Sequence, residues 1–180
     1  MAKSDVKIVG GVSGGVFSWA TDDRTTSTIL STIKPGEPVE QGLTGNNFAL
    51  LLLTDEPKVT TSATRFIGIA HNESTETASA EGEVDVEHVV PMGTVLEARA
   101  STPANVNTLA EWRDLQGDAV TFDGIAALSD STDTTPYTID EDLGDDPNNY
   151  GLVMIGWSSE RPAVIQFVVK PLVTLFGNNL

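Results

Sequence analysis

The chain of 180 residues has the length of one domain, or of one domain with an appended arm. Hydrophobic residues at 39% can fill a core, while the absence of cysteine excludes disulfide frameworks, Cys-ligated zinc, iron–sulfur clusters and thiol catalysis. Ten basic against 26 acidic side chains give a net charge of −16, which sets the chain against nucleic-acid backbones and anionic membrane surfaces as partners.

In chain order, the first stretch has a texture of its own. Gly10-Gly11, Gly14-Gly15, the run Thr25-Thr26-Ser27-Thr28 and Lys34-Pro35-Gly36-Glu37-Pro38 offer little to build a core from. Residues 1–45 are therefore expected as an extended N-terminal arm that lies on something else, and residues 46–180 as the body. The same glycines, with Asp5 among the lysines, interrupt what would be the apolar centre of a signal peptide, so the start reads as that of a protein made in the cytoplasm. Gly11-Val12-Ser13-Gly14-Gly15 matches the G-x-S-x-G elbow that exposes a nucleophilic serine between a strand and a helix. Val6-Lys7-Ile8-Val9 could supply that strand, but Val16-Phe17-Ser18-Trp19 carries no helix signal, so the five residues read as a glycine hinge.

The body reads as strands between turns. Val, Ile and Thr number 48, and 25 glycines and prolines punctuate the whole length, the pattern of a barrel or sandwich. Strands are expected at Phe48–Leu53, Arg65–Ala70, Glu83–Val90, Val95–Ala100, Ala119–Phe122, Pro136–Asp140, Leu152–Trp157 and Ala163–Val169. The six apolar residues of Phe48–Leu53 form the longest such run and fall far short of the ~20 that a membrane-spanning helix needs. In Glu83–Val90, Val84, Val86, His88 and Val90 share one face, with Asp85, Glu87 and Val89 on the other. One helix is expected within Asn107–Gly117. Thr108 and Glu111 have capping-box spacing, Leu109, Trp112 and Leu115 line one face, and Gly117 stands where a left-handed C-cap belongs. Leu152–Trp157 and Ala163–Val169 form a hairpin, apolar enough to lie centrally in the sheet or at a subunit contact. The fold expected is all-β: a small barrel or sandwich body with one short helix and the extended arm.

Charge is concentrated in the middle. Residues 66–159 hold only Arg99 and Arg113 against 18 acids, whereas both ends are close to neutral. His71 falls in a polar loop and His88 on an apolar strand face. Neither has a second histidine at ligand spacing, so both read as structural. Asp140–Asn149 is the densest cluster of oxygen donors. A hard cation such as calcium would suit it, but Gly151 stands where an EF-hand needs its glutamate, and a solvated acidic turn is the plainer reading. No coherent nucleophile–base pair or cofactor motif is visible. The expectation is a protein without catalytic residues, cofactor or metal.

Phe66-Ile67-Gly68-Ile69-Ala70, the Ser/Thr/Ala loop after it, Glu81-Gly82-Glu83-Val84-Asp85-Val86 and Gly93-Thr94-Val95-Leu96-Glu97 together resemble the small β-barrel module of tailed-bacteriophage head decoration, or capsid cement, proteins. Gly117-Asp118 and the Asp145-Asp146-Pro147-Asn148 turn fit the same grammar, and the likeness covers about a third of the chain. It implies a structural virion protein on the outer surface of the capsid, bound to the major capsid protein, usually as a homotrimer at three-fold or quasi-three-fold positions. An acidic body would keep particles apart, and a near-neutral arm could lie across the shell. Phe17, Trp19, Ile29 and Ile33 of the arm, with Val173, Leu175 and Phe176 near the C-terminus, are the expected capsid or subunit contacts. Two alternatives stand beside this reading. One is another virion β-barrel, of tail tube or baseplate; the other is a carbohydrate-binding sandwich, for which Trp19, Trp112, Tyr137 and Tyr150 would be the aromatic candidates.

Overall fold

The structure, a computed structural model, describes residues 6–21, 32–41, 49–51, 65–75, 82–123, 137–141, 150–157 and 159–171. Its strands in chain order are β1 (Lys7–Ala20), β2 (Thr32–Ile33), β3 (Pro38–Gln41), β4 (Ala49–Leu51), β5 (Arg65–Ala70), β6 (Ser74–Thr75) and β7 (Glu83–Ala100). After β7 come a 3-10 turn (Pro103–Val106) and the helix α1 (Leu109–Leu115), then β8 (Ala119–Asp123), β9 (Thr138–Asp140), β10 (Leu152–Trp157) and β11 (Val164–Val169). The protein is all-β with one short helix, as its composition implies.

Five strands close into a small barrel. The C-terminal half of β7 pairs with β11, β11 with β10, β10 with β8 and β8 with β9, all antiparallel, and β9 returns to β7 through the short parallel pairing of Arg99 with Thr138 and Ala100 with Ile139. The predicted C-terminal hairpin is therefore present, and each of its arms has a neighbour on both sides. The barrel is filled around Phe122, whose ring meets Phe66, Tyr137 and Phe167 edge-on at centroid distances of 6.0, 6.0 and 5.8 Å. The N-terminal half of β7 leaves the barrel and pairs with β5, and β3 and β4 continue that sheet. A second, smaller core lies there, made by Ile33, Val39, Ile67, Ala70, Val84 and Val86 with Trp19 packed against it.

Two glycines show why strands can cross so closely. A Cβ on Gly68 would lie 1.9 Å from the Glu87 carbonyl oxygen, and one on Gly11, whose φ is +82°, equally close to that of Gly93. No other residue permits either approach.

Three expectations change. Glu83–Val90 and Val95–Ala100 are one strand, because Pro91-Met92-Gly93 makes a bulge and not a reversal. Between Gly11↔Thr94 and Ser13↔Val89, β7 advances five residues while β1 advances two. Met92 takes the left-handed φ of 56°, and Thr94 staples the bulge by accepting from the Val90 N–H at 2.8 Å and donating to the Val12 carbonyl. The helix has its capping box, Thr108 Oγ1 accepting from Glu111 N–H and Glu111 accepting from the Thr108 N–H, but Leu109 is 46% exposed and only Trp112 and Leu115 pack onto the barrel core. Finally, residues 7–20, expected as an arm lying on something else, are extended but paired along β7 within the protein's own sheet. Main-chain pairing with a strand far along the chain holds them, which the local glycine-rich sequence does not reveal, and the glycine pairs are bulge positions in a strand, with Gly11 and Gly15 at positive φ. Buried Val6, Ile33 and Val39 add side-chain anchors from the same third of the chain.

Candidate functional site: the outer edge of β1

Among the described residues β1 pairs only with β7, so its other edge carries main-chain groups that no strand answers. Most of this edge is irregular. Register shifts fall between Ile8 and Gly10, Gly11 and Ser13, and Ser13 and Val16. Beyond them Val16 to Ala20 runs regularly against Glu87 to Glu83. Along the strand Val9, Val12, Val16 and Phe17 are exposed, and Met92 of the neighbouring bulge joins them. Lys7 is the one charged side chain from 6 to 21, on a protein whose net charge is −16.

The regular segment has two chemically distinct faces. On one, Phe17 lies opposite Val86 and Trp19 opposite Val84. Both rings contact buried His88, at centroid distances of 4.6 and 5.6 Å, and the Trp19 indole N–H donates to His88 Nε2 at 2.8 Å. That bond requires an unprotonated Nε2, and burial holds the imidazole pKa below its ordinary value, in the same direction. Gly14 permits the packing, since a Cβ there would lie 2.9 Å from His88 Cβ. On the other face the register sets Val16 beside Glu87, Ser18 beside Asp85 and Ala20 beside Glu83. Ser18 Oγ donates to Glu83, and Glu87 meets His71 Nε2 at 2.8 Å. An open cleft of about 250 Å³ lined by Ser18, Trp19, Ala20, Gly82 and Glu83 lies at this end of the strand.

The expected contact residues separate. Phe17, half exposed, and Trp19, mostly buried, come together over His88 on β1. Ile33 is 1% exposed and belongs to the second core, so its side chain is spent on packing within the protein. Ile29, Val173, Leu175 and Phe176 lie outside the described residues, as does most of the Asp140–Asn149 cluster. The row Glu83, Asp85 and Glu87 was legible as strand alternation, but its place beside β1 was not, because register between segments 60 residues apart leaves no local mark.

Elsewhere several of the polar groups singled out by the sequence, or buried by the fold, serve packing and main-chain contacts. The Ser13 of the elbow-like motif sits inside β1, with its Oγ accepting from the Gly15 N–H, so the strand-turn-helix setting of a nucleophile elbow is not formed there. Glu141, 2% exposed, accepts from the N–H groups of Ser101 and Thr102 and from Asn105 Nδ2, and desolvation raises its pKa despite them. Arg161, on the β10–β11 turn, grips buried Glu97 of β7 through two bonds of 2.6 and 2.7 Å. Tyr137, an aromatic candidate for carbohydrate contact, is inside the barrel core. Among the described residues no group of three or more His, Asp or Glu side chains is placed to hold a metal ion, and no helix is long and apolar enough to cross a membrane. Comparison with protein-family models, with curated proteins and with solved structures gives no match to this chain.

Proposed function

We propose that this protein is a structural component of a tailed-phage virion, a decoration or cement protein that binds the outer surface of the assembled head through the β1 side of its body. The observation that carries the reading is the β1 strip itself. It is an extended, near-neutral line of exposed apolar side chains along one edge of a strongly acidic domain. Such a strip suits a surface laid against a partner, while the acidic remainder keeps bound copies and whole particles apart. The barrel is the rigid part, and β7, shared between both cores, ties the strip to it. In this reading the partner is the major capsid protein and the bound form is a homotrimer.

The test is co-sedimentation of the purified chain with expanded, undecorated heads assembled from the major capsid protein of its own genome, with light scattering to give the solution mass. Saturable binding that increases head resistance to heat supports the reading. Rings or tubes of the protein alone would point to a tail component instead, and absence of binding would overturn the decoration role.

A further inference from the structure

The two faces of β1 between Val16 and Ala20 specify what could be added to its outer edge, which no strand among the described residues pairs. A strand hydrogen-bonded there would place alternate side chains above and below the sheet. On the upper face its neighbours are Phe17 and Trp19, which extend the apolar surface of the second core. On the lower face its neighbours are Val16, Ser18 and Ala20, and behind them stand Glu87, Asp85 and Glu83 in the same order. Two inter-strand spacings, about 9.5 Å, separate the incoming strand from β7. Val16, Ser18 and Ala20 are short, so a lysine or arginine stem can lie over them and meet the carboxylates.

We propose that the outer edge of β1 from Val16 to Ala20 receives an extended segment of another protein in which apolar and basic side chains alternate. The apolar set packs beside Phe17 and Trp19, and the basic set answers Glu83, Asp85 and Glu87. This rests on the reading of the β1 strip as the contact surface and adds the chemistry of what it contacts. A second copy of this chain does not fit. Pairing β1 with β1 would set Val16, Ser18 and Ala20 of each copy between two rows of acids, and β1 itself brings no basic side chain between Val16 and Ala20 to answer either row. The bulges from Ile8 to Val16 keep the rest of the edge from accepting a regular strand, which confines docking to the five-residue segment.

The experiment uses the full chain and Gly/Ser-flanked peptides with the centre Lys-Val-Lys-Val-Lys or Glu-Val-Glu-Val-Glu, followed by calorimetry at low and high salt. The lysine peptide is expected to bind at least tenfold more tightly than the glutamate peptide and to weaken as salt rises. Two copies of the lysine peptide, each N-methylated at one of the two alternate sets of amides with its charges unchanged, separate strand addition from charge attraction alone, because the copy whose methylated amides face β1 should lose binding. In the doubly substituted D85K/E87K chain the preference between the two peptides should reverse. Equal binding of both peptides, no binding of either at millimolar concentration, or undiminished binding of both N-methylated registers would overturn the proposal. If the double variant does not fold, the four peptides on the unaltered chain still decide. Heads that co-sediment although the peptide does not bind would defeat strand addition alone, and a peptide that binds although heads do not co-sediment would defeat the decoration role alone.

Discussion

Replacing Trp19 tests whether β1 is part of the folded body or an arm that happens to lie on it. Its indole packs on the second core and donates to His88 Nε2 at 2.8 Å, and at least about two thirds of the residue is buried. Truncating a fully buried tryptophan to alanine costs about 3–5 kcal/mol, so burial of about two thirds makes the packing loss about 2–3 kcal/mol. Withdrawing the donor from a buried imidazole nitrogen adds roughly 1 kcal/mol. Trp19→Ala should therefore destabilise the protein by about 3–4 kcal/mol, a fall in Tm of about 6–16 °C for a chain of this size. Trp19→Phe keeps most of the ring and loses the hydrogen bond, so a fall of about 2–4 °C is expected. Differential scanning calorimetry on the two variants measures both steps. An unchanged Tm in Trp19→Ala would refute the reasoning, because a strand that contributes no stability is an arm, whatever its conformation.

Three further outcomes follow from the same packing. Phe122→Ala removes the ring on which three others rest, and should cost about 3–5 kcal/mol, read as a lower urea midpoint at unchanged slope. Gly68→Ala places a methyl 1.9 Å from the Glu87 carbonyl oxygen and should separate β5 from β7, whereas Gly117→Ala meets open space and pays only for its φ of +91°, about 1 kcal/mol; circular dichroism melts distinguish them. His88 has its pKa lowered by burial, so the unfolded chain takes up the proton first. Its share of the stability is complete above about pH 6.5 and is lost as the pH falls from there through the folded value, at up to about 1.4 kcal/mol per pH unit. In His88→Gln, whose side chain can still accept from Trp19, that slope in denaturation midpoints between pH 6.5 and 5.5 should be absent.

What could be read from the sequence was what short-range chemistry controls. The Thr108–Glu111 capping box, the strand at Arg65–Ala70 and the hairpin of β10 and β11 each carry their signals within a dozen or so residues, and all are found. The misreadings concern partners far along the chain. Gly10-Gly11 and Gly14-Gly15 look alike whether they sit in a hinge or in a bulged strand, and only pairing with β7, more than 70 residues on, decides between them. Pro91-Met92-Gly93 looks like a turn because proline and glycine mark both turns and bulges. For the site, the exposure of Phe17 was legible as an aromatic in a glycine- and serine-rich stretch, whereas the packing of Trp19 on the protein's own second core was not. The burial of Ile33 and the acidic row beside Val16, Ser18 and Ala20 were not legible either, since both depend on tertiary register.

The proposed role places the contact between this protein and a phage head at the β1 edge. Its most direct measurement is amide hydrogen exchange on the chain alone and on the chain bound to expanded heads. The amides of Val16 to Ala20 that point away from β7 are expected to exchange rapidly in the free protein and to become protected on the head, with the barrel strands β8 to β11 unchanged. Protection that appears on the barrel while Val16 to Ala20 exchange as before would contradict it.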